Sequence, residues 1–200
     1  MQLSMDLAAP PAKWPSKTRE DGRNSLFFAV VLDAEPAAEA EALGAKLRAH
    51  YGLSGRQLSA KRLHIPLTAI ADYANLLEYD VSAAMQAAAA IKAAPFEVAL
   101  TRALSIEGGD QNPLVLRCGD GAPALNALQK SLSAALKLTG YEQTGPSGFA
   151  PYVTLLYDRK AIGETVLDDP IRWMVRDFAL VYSVYGEGRH VHLGNWQLQG

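Results

Sequence analysis

The sequence predicts an α+β fold in a single domain. Three observations carry that reading: a length and composition suited to one buried core, an element order that mixes adjacent strands with separate helices, and two similar strand segments far apart in the chain. Two hundred residues, 49% hydrophobic and 20% charged, lie within the range of one ordinary globular domain. The element order reads approximately β α β α β β α β β β. The two similar segments, HIPLTAI and YVTLLYD, each follow a helix, each begin with a ring-bearing polar residue and each alternate apolar positions. Two facing helix–strand lobes would set them side by side.

Residues 26–32, LFFAVVL, are aromatic and β-branched with no polar interruption, the pattern of a strand buried on both faces. Pro36 opens PAAEAEALGAKLRAHYG, where Leu43, Leu47 and Tyr51 recur at helical spacing and Gly52 closes the segment, so an amphipathic helix is expected. Residues 62–70, RLHIPLTAI, read as a second strand in spite of Pro66, and the alanine-rich stretch 76–94 reads as a second helix that Pro95 stops. Strands at 96–106 and 113–118 are joined by a Gly-Gly-Asp turn suited to a hairpin. A third helix starts at Pro123, carries Leu125, Leu128, Leu132, Leu136 and Leu138, and is capped by Gly140. After the QTGPSG loop, PYVTLLYD is a strand, IRWMVRDFALVYSVYG one long strand or two, and RHVHLGNWQL the last.

Charge and cysteine content narrow the function classes. A formal net charge of -2 excludes the generally cationic surface that grips long nucleic acid through many phosphates, so a nucleic-acid partner must be bound locally. Cys118 is the only cysteine, which leaves no intramolecular disulfide and no thiolate cluster for a structural metal; a reducing compartment, the cytoplasm, is the expected location. The opening residues contain Pro10, Pro11 and Pro15 and no apolar run of signal-peptide length, and no later stretch approaches a membrane span. Residues 1–24 are expected to form a loose arm, and 25–200 the single domain.

Alternation along a strand puts Arg62, His64, Pro66 and Thr68 on one face of the second strand, and Tyr152, Thr154 and Leu156 on one face of the later one. With HIPL, YVTLLYD, the opening FFAVVLD and the closing FALVYSVYG and HVHLGNW, the chain from about Asn24 onward resembles the 2H phosphoesterases, and among them the 2'-5' RNA ligase-like proteins. The resemblance implies a bilobal fold of two pseudo-symmetric β-α lobes, with mainly antiparallel sheets flanking a central cleft. Each lobe sends one His-x-Thr or His-x-Ser motif into that cleft. One histidine acts as base and the other as acid on a 2',3'-cyclic phosphate or a 2'-5' linkage, and the hydroxyls hold the phosphate. No metal and no cofactor is implied. Imidazole suits both roles because it titrates near neutral pH.

Carried over by position, His64 matches the first histidine and Thr154 the second hydroxyl, while Pro66 and Tyr152 depart from the pattern. Pro66 removes a hydroxyl and a backbone donor and implies an edge or bulged position. Tyr152 replaces an imidazole by a phenol of pKa about 10, which can donate a hydrogen bond or act as an acid but is a poor base at neutral pH. Thr68 is a substitute hydroxyl about 6.5 Å further along the strand. Arg62 suits a phosphate through its bidentate fork. His190 and His192, two apart in the last strand, share a face and offer a way to return an imidazole to the cleft; without a nearby carboxylate or cysteine they are a weak metal signal. Arg159 and Lys160 read as a solvated turn.

Two functions follow from this set. The first is a weakened or altered phosphodiesterase, with His64 as base and Tyr152 as acid, acting on a small nucleotide, a cyclic phosphate or an RNA end. The alternative is a non-catalytic module that keeps the cleft to bind a nucleotide or phosphate ligand. Neither involves a membrane or a long nucleic-acid surface.

Overall fold

The computed structural model describes residues 24–73, 78–107, 109–141 and 149–199. Their order is β1 (Asn24–Val31), α1 (Ala34–Tyr51), a 3₁₀ turn (Ala60–Arg62), β2 (His64–Tyr73), α2 (Glu78–Ala89), β3 (Phe96–Ser105), β4 (Asn112–Cys118), α3 (Ala122–Leu138), β5 (Tyr152–Asp158), β6 (Thr165–Val175), β7 (Asp177–Val184) and β8 (Arg189–Gln197). Residues 1–23 of the expected arm and the QTGPSG loop lie outside the described residues. Asn24, assigned to the arm from sequence, is the first residue of β1, and its side-chain carbonyl accepts a hydrogen bond from the Tyr185 backbone at 2.8 Å. Among the described residues, no helix is long and apolar enough to cross a membrane.

The strands form two antiparallel four-stranded sheets, ordered β2-β1-β7-β8 and β5-β4-β3-β6. The fold is thus α+β with two sheets and no closed barrel. IRWMVRDFALVYSVYG holds parts of two strands divided at Arg176: β6 completes the second sheet, and β7 joins the first. The first sheet is therefore drawn from both ends of the chain, and the second is inserted between them.

The helices lie on one side of both sheets. The faces of α1, α2 and α3 share a single apolar core with Phe28, Val30 and Leu180 of the first sheet and Leu100, Leu116 and Val153 of the second. Helix α3 fits its predicted stripe, with Leu125, Leu128, Leu132 and Leu136 all buried and Leu138 exposed, as spacings of three and four require. Helix α1 departs from expectation. Its fully covered positions are Pro36, Ala37, Ala40 and Gly44, while Leu43, Leu47 and Tyr51 are only partly buried at its flank. Small side chains let this helix approach closely, so its buried stripe carries little apolar signal. Helix α2 ends at Ala89, short of Pro95: the amides of Ala90 and Ile91 reach back only three residues, to Ala87 and Ala88, which tightens and closes the last turn.

The sheets adjoin through their edge strands β2 and β5. Residues 54–58 link them further. The Leu58 amide donates to the Leu155 carbonyl at 2.7 Å, and the Asp158 carboxylate accepts from the amides of Ser54 and Gly55, each at 2.6 Å, and of Lys160 at 2.8 Å. These bonds, with the Lys160 amide foremost, hold the Asp158 carboxyl below its ordinary pKa. Gly55 permits the approach, since a Cβ there would sit 2.1 Å from the Tyr157 carbonyl oxygen.

Candidate functional site

The site lies on the faces turned away from the helices. On the first sheet that face is floored by Phe27, Ala29, Val31, Ala179 and Val181, an apolar cluster separate from the main core. His64 pairs with Val31 and Pro66 with Ala29, which places both on this face. Pro66 occupies an edge strand, where its missing amide costs least, and it lies next to a bulge.

That bulge corrects the expectation for Thr68. Leu67 has no partner in β1, and Thr68 pairs with Phe28 of the core-facing set. The extra residue reverses the alternation, so Thr68 points away from His64, 3% exposed, with its hydroxyl 3.5 Å from that of Ser133 on α3. It lies on the opposite side of β2 from the phosphate position expected of it.

Arg62 reaches the site by another route than strand alternation. It is the last residue of the 3₁₀ turn, and its carbonyl oxygen lies 2.8 Å from His64 Nδ1. A carbonyl only accepts, so Nδ1 carries the proton and Nε2 of the neutral ring keeps a free lone pair. Burial is the main cause lowering the Arg62 pKa, with Tyr157 opposing that shift and Arg56 adding to it. Its Nε is buried without a hydrogen-bond partner among the described residues. A buried, unpaired guanidinium donor is costly, and an anion would satisfy it.

The second sheet carries a similar bulge. Tyr152 pairs with Arg117 and Thr154 with Val115, Leu155 is unmatched, and Tyr157 pairs with Pro113. Val153, Leu155 and Leu156 are fully buried in the core, which corrects the expected set of Tyr152, Thr154 and Leu156: the face holds Tyr152, Thr154 and Tyr157. Thr154 and Arg62 both lie close enough to the Tyr157 phenol to act on its ionisation, each opposing the rise that burial causes. Burial raises the pKa of the Tyr157 phenol and that of Tyr152. Both phenols stay protonated at neutral pH.

The last strand supplies a second imidazole. His190 pairs with Ser183 on the face that Phe27 shares, and its ring centroid lies 5.0 Å from that of His64 with the planes at 76°. Both rings pack on Phe27, at 5.1 Å for His64 and 6.1 Å for His190. Burial lowers His64 to about 4 and His190 to about 3, and each is also repelled by Arg62 and His192. His192 is exposed on the same face and borders a hollow of about 210 Å³ shared with Val31, Asp177 and Asn195.

The structure therefore brings together His64, Arg62 and His190 on one side and Tyr152, Thr154 and Tyr157 on the other, with Arg62 and Tyr157 as the link. Sequence reasoning misses Phe27 and Tyr157. Tyr157 has a signal: a Leu-Leu pair between Thr154 and Tyr157 is what a bulge with two adjacent core-facing residues produces. Lys160, read as solvated, donates from Nζ to the Tyr51 carbonyl at 2.6 Å.

Over residues 35–187 the sequence matches a family described as the 2'-5' RNA ligase superfamily. Comparison with curated proteins gives no significant match. Among solved structures, TT0787 of Thermus thermophilus is 20% identical with a TM-score of 0.71, covering 88% of this chain and 98% of its own. E. coli LigT in apo form is 24% identical with a TM-score of 0.68, covering 89% and 99%. LigT complexed with 3'-AMP is 23% identical with a TM-score of 0.69, again covering 89% and 99%. At these identities the likeness is one of fold.

Proposed function

Since this chain belongs to the 2'-5' RNA ligase superfamily, we propose that the surface around His64 is a phosphodiester site with altered chemistry, acting on a small 2',3'-cyclic phosphate, an RNA end or a 2'-5' linkage in the cytoplasm. The observation that carries the reading is the pairing of a neutral His64, its Nε2 lone pair free, with the unsatisfied Nε of Arg62 beside it. In hydrolysis, His64 takes a proton from water, the water oxygen bonds to phosphorus, and one ring P–O bond breaks. Arg62 and Thr154 hold the phosphate oxygens. Tyr152 offers a phenolic proton to the substrate, but its raised pKa makes it a reluctant acid, so turnover is slow. The LigT structures with 3'-AMP and with phosphate support a small phosphate ligand as the class to test.

The test is the rate of 2',3'-cyclic AMP hydrolysis. The native protein should be slow, His64→Ala should abolish the rate, and Tyr152→His should raise it by at least about tenfold, given the usual worth of a proton-transfer group. Pro66→Thr added to Tyr152→His should help further by restoring a hydroxyl. Brisk native turnover indifferent to His64→Ala would overturn the assignment. One observation favours the binding module instead: burial leaves both imidazoles and both phenols neutral at pH 7. If the double variant folds, binds 3'-AMP and turns nothing over, that reading replaces the catalytic one.

A further inference from the structure

We infer that His190 is the second proton-transfer residue of this site, so that acid and base both come from the first sheet, on β2 and β8, and not from one motif in each lobe. The inference rests on the phosphodiester reading and moves the acid role in it from Tyr152 to His190. Four features of the geometry support it. The ring centroids of His64 and His190 are 5.0 Å apart with the planes at 76°, an edge-to-face pair. Phe27 forms a common apolar wall behind both rings. Arg62 lies close enough to act on both, and its buried Nε has no partner among the described residues. The β7–β8 turn that carries His190 also flanks Arg62, since a Cβ at Gly188 would lie 3.7 Å from Arg62 Nη1.

Two imidazoles this close, beside a guanidinium, do not both hold a charge. The pair carries one proton in its active form. The charged ring gives that proton to the departing ribose oxygen as the P–O bond breaks, the neutral ring takes one from the attacking water, and the pair ends with the single proton it began with. Tyr152, which keeps its proton, is left as a hydrogen-bond donor to the phosphate. The groups that face the pair are Arg62 from the 3₁₀ turn and His192 from β8; the β1 and β7 residues beneath it, Phe27 and Val181, do not titrate. Both rings being neutral at pH 7, the singly protonated form grows on acidification.

The experiment is a pH profile of 2',3'-cyclic AMP hydrolysis, from pH 4 to 8, for the native protein, His190→Asn, His190→Gln and His64→Asn, with His50→Asn as a control for losing an imidazole elsewhere. Thermal melts select the variants that fold. The native rate should rise as pH falls from 7 towards 5. Both His190 variants should lose about 100-fold in kcat or more, with KM little changed and the acid rise gone. His50→Asn should match the native protein. If His64→Asn is dead while both folded His190 variants keep the native kcat and profile, His190 has no proton-transfer role and the phosphodiester reading stands without it. If the native protein shows no turnover at any pH, or His64→Asn leaves the rate unchanged, the underlying reading fails and this inference with it.

Discussion

His64 is held by one hydrogen bond, and that bond decides what the ring can do. Donation from Nδ1 to the Arg62 carbonyl fixes the tautomer and presents Nε2 as an acceptor. Burial then opposes protonation and lowers the ring to about 4, below the ordinary histidine value of about 6.5. The linkage has a definite sign. Between those two values the unfolded chain binds the proton that the folded chain refuses, so stability falls as pH is lowered from about 6.5 to 4. From His64 alone the loss is on the order of 3 kcal/mol. His190 adds in the same direction. Thermal melts at pH 7 and pH 4 should therefore show a smaller acid-induced drop for His64→Gln than for the native protein. An equal drop would mean that the ring is solvated in the native state.

Among the elements, the two bulges choose which residues face substrate. Each inserts one unpaired leucine, Leu67 in β2 and Leu155 in β5, and each reverses the alternation beyond it. In β2 this withdraws Thr68 into the core beside α3; in β5 it brings out Tyr157. Thr68→Val should accordingly leave 3'-AMP affinity and hydrolysis within about twofold of native. Its effect on stability should stay within about 1 kcal/mol, because the hydroxyl makes only one long contact. Isothermal titration and a melting curve check both parts, and a tenfold loss of affinity would return Thr68 to the phosphate side. The alternation rule holds up to each bulge and fails after it. The register that fixes a bulge is set by partners on other strands, so the segment's own sequence gives at most a hint such as the Leu-Leu pair of β5.

The whole molecule is assembled by exchange between its halves. Helix α1 follows β1 of the first sheet but packs on β5 and β6 of the second, while α3 follows β4 of the second and packs on β2 of the first. The Asp158 carboxylate, accepting amides from residues 54 and 55, closes the same junction. Sheets that share one core in this way should unfold together. We propose 25–200 as the folding unit, with Asn24 added as the start of β1. A chain beginning at Asn24 should melt in one cooperative transition within a few degrees of the full-length protein. A drop of many degrees would make residues 1–23 part of the folded core.

Local signals were enough for the α+β class and the strand and helix sequence up to the last sheet crossing, and the resemblance to the 2H phosphoesterases singled out His64, Tyr152 and Thr154. Periodicity, Pro and Gly punctuation and the two related strand segments act over a few residues each, and they are legible without knowing the fold. The split at Arg176, the small-residue face of α1 and the company His64 keeps were not legible in that way. Chain crossing depends on which sheet offers a free edge, and close helix packing leaves alanine and glycine where an apolar stripe was sought. His190 lies 126 positions beyond His64, on a strand reached only through β7, and no spacing rule connects them. Their 5.0 Å approach is set by the pairing of β1 with both β2 and β7, a property of the assembled sheet.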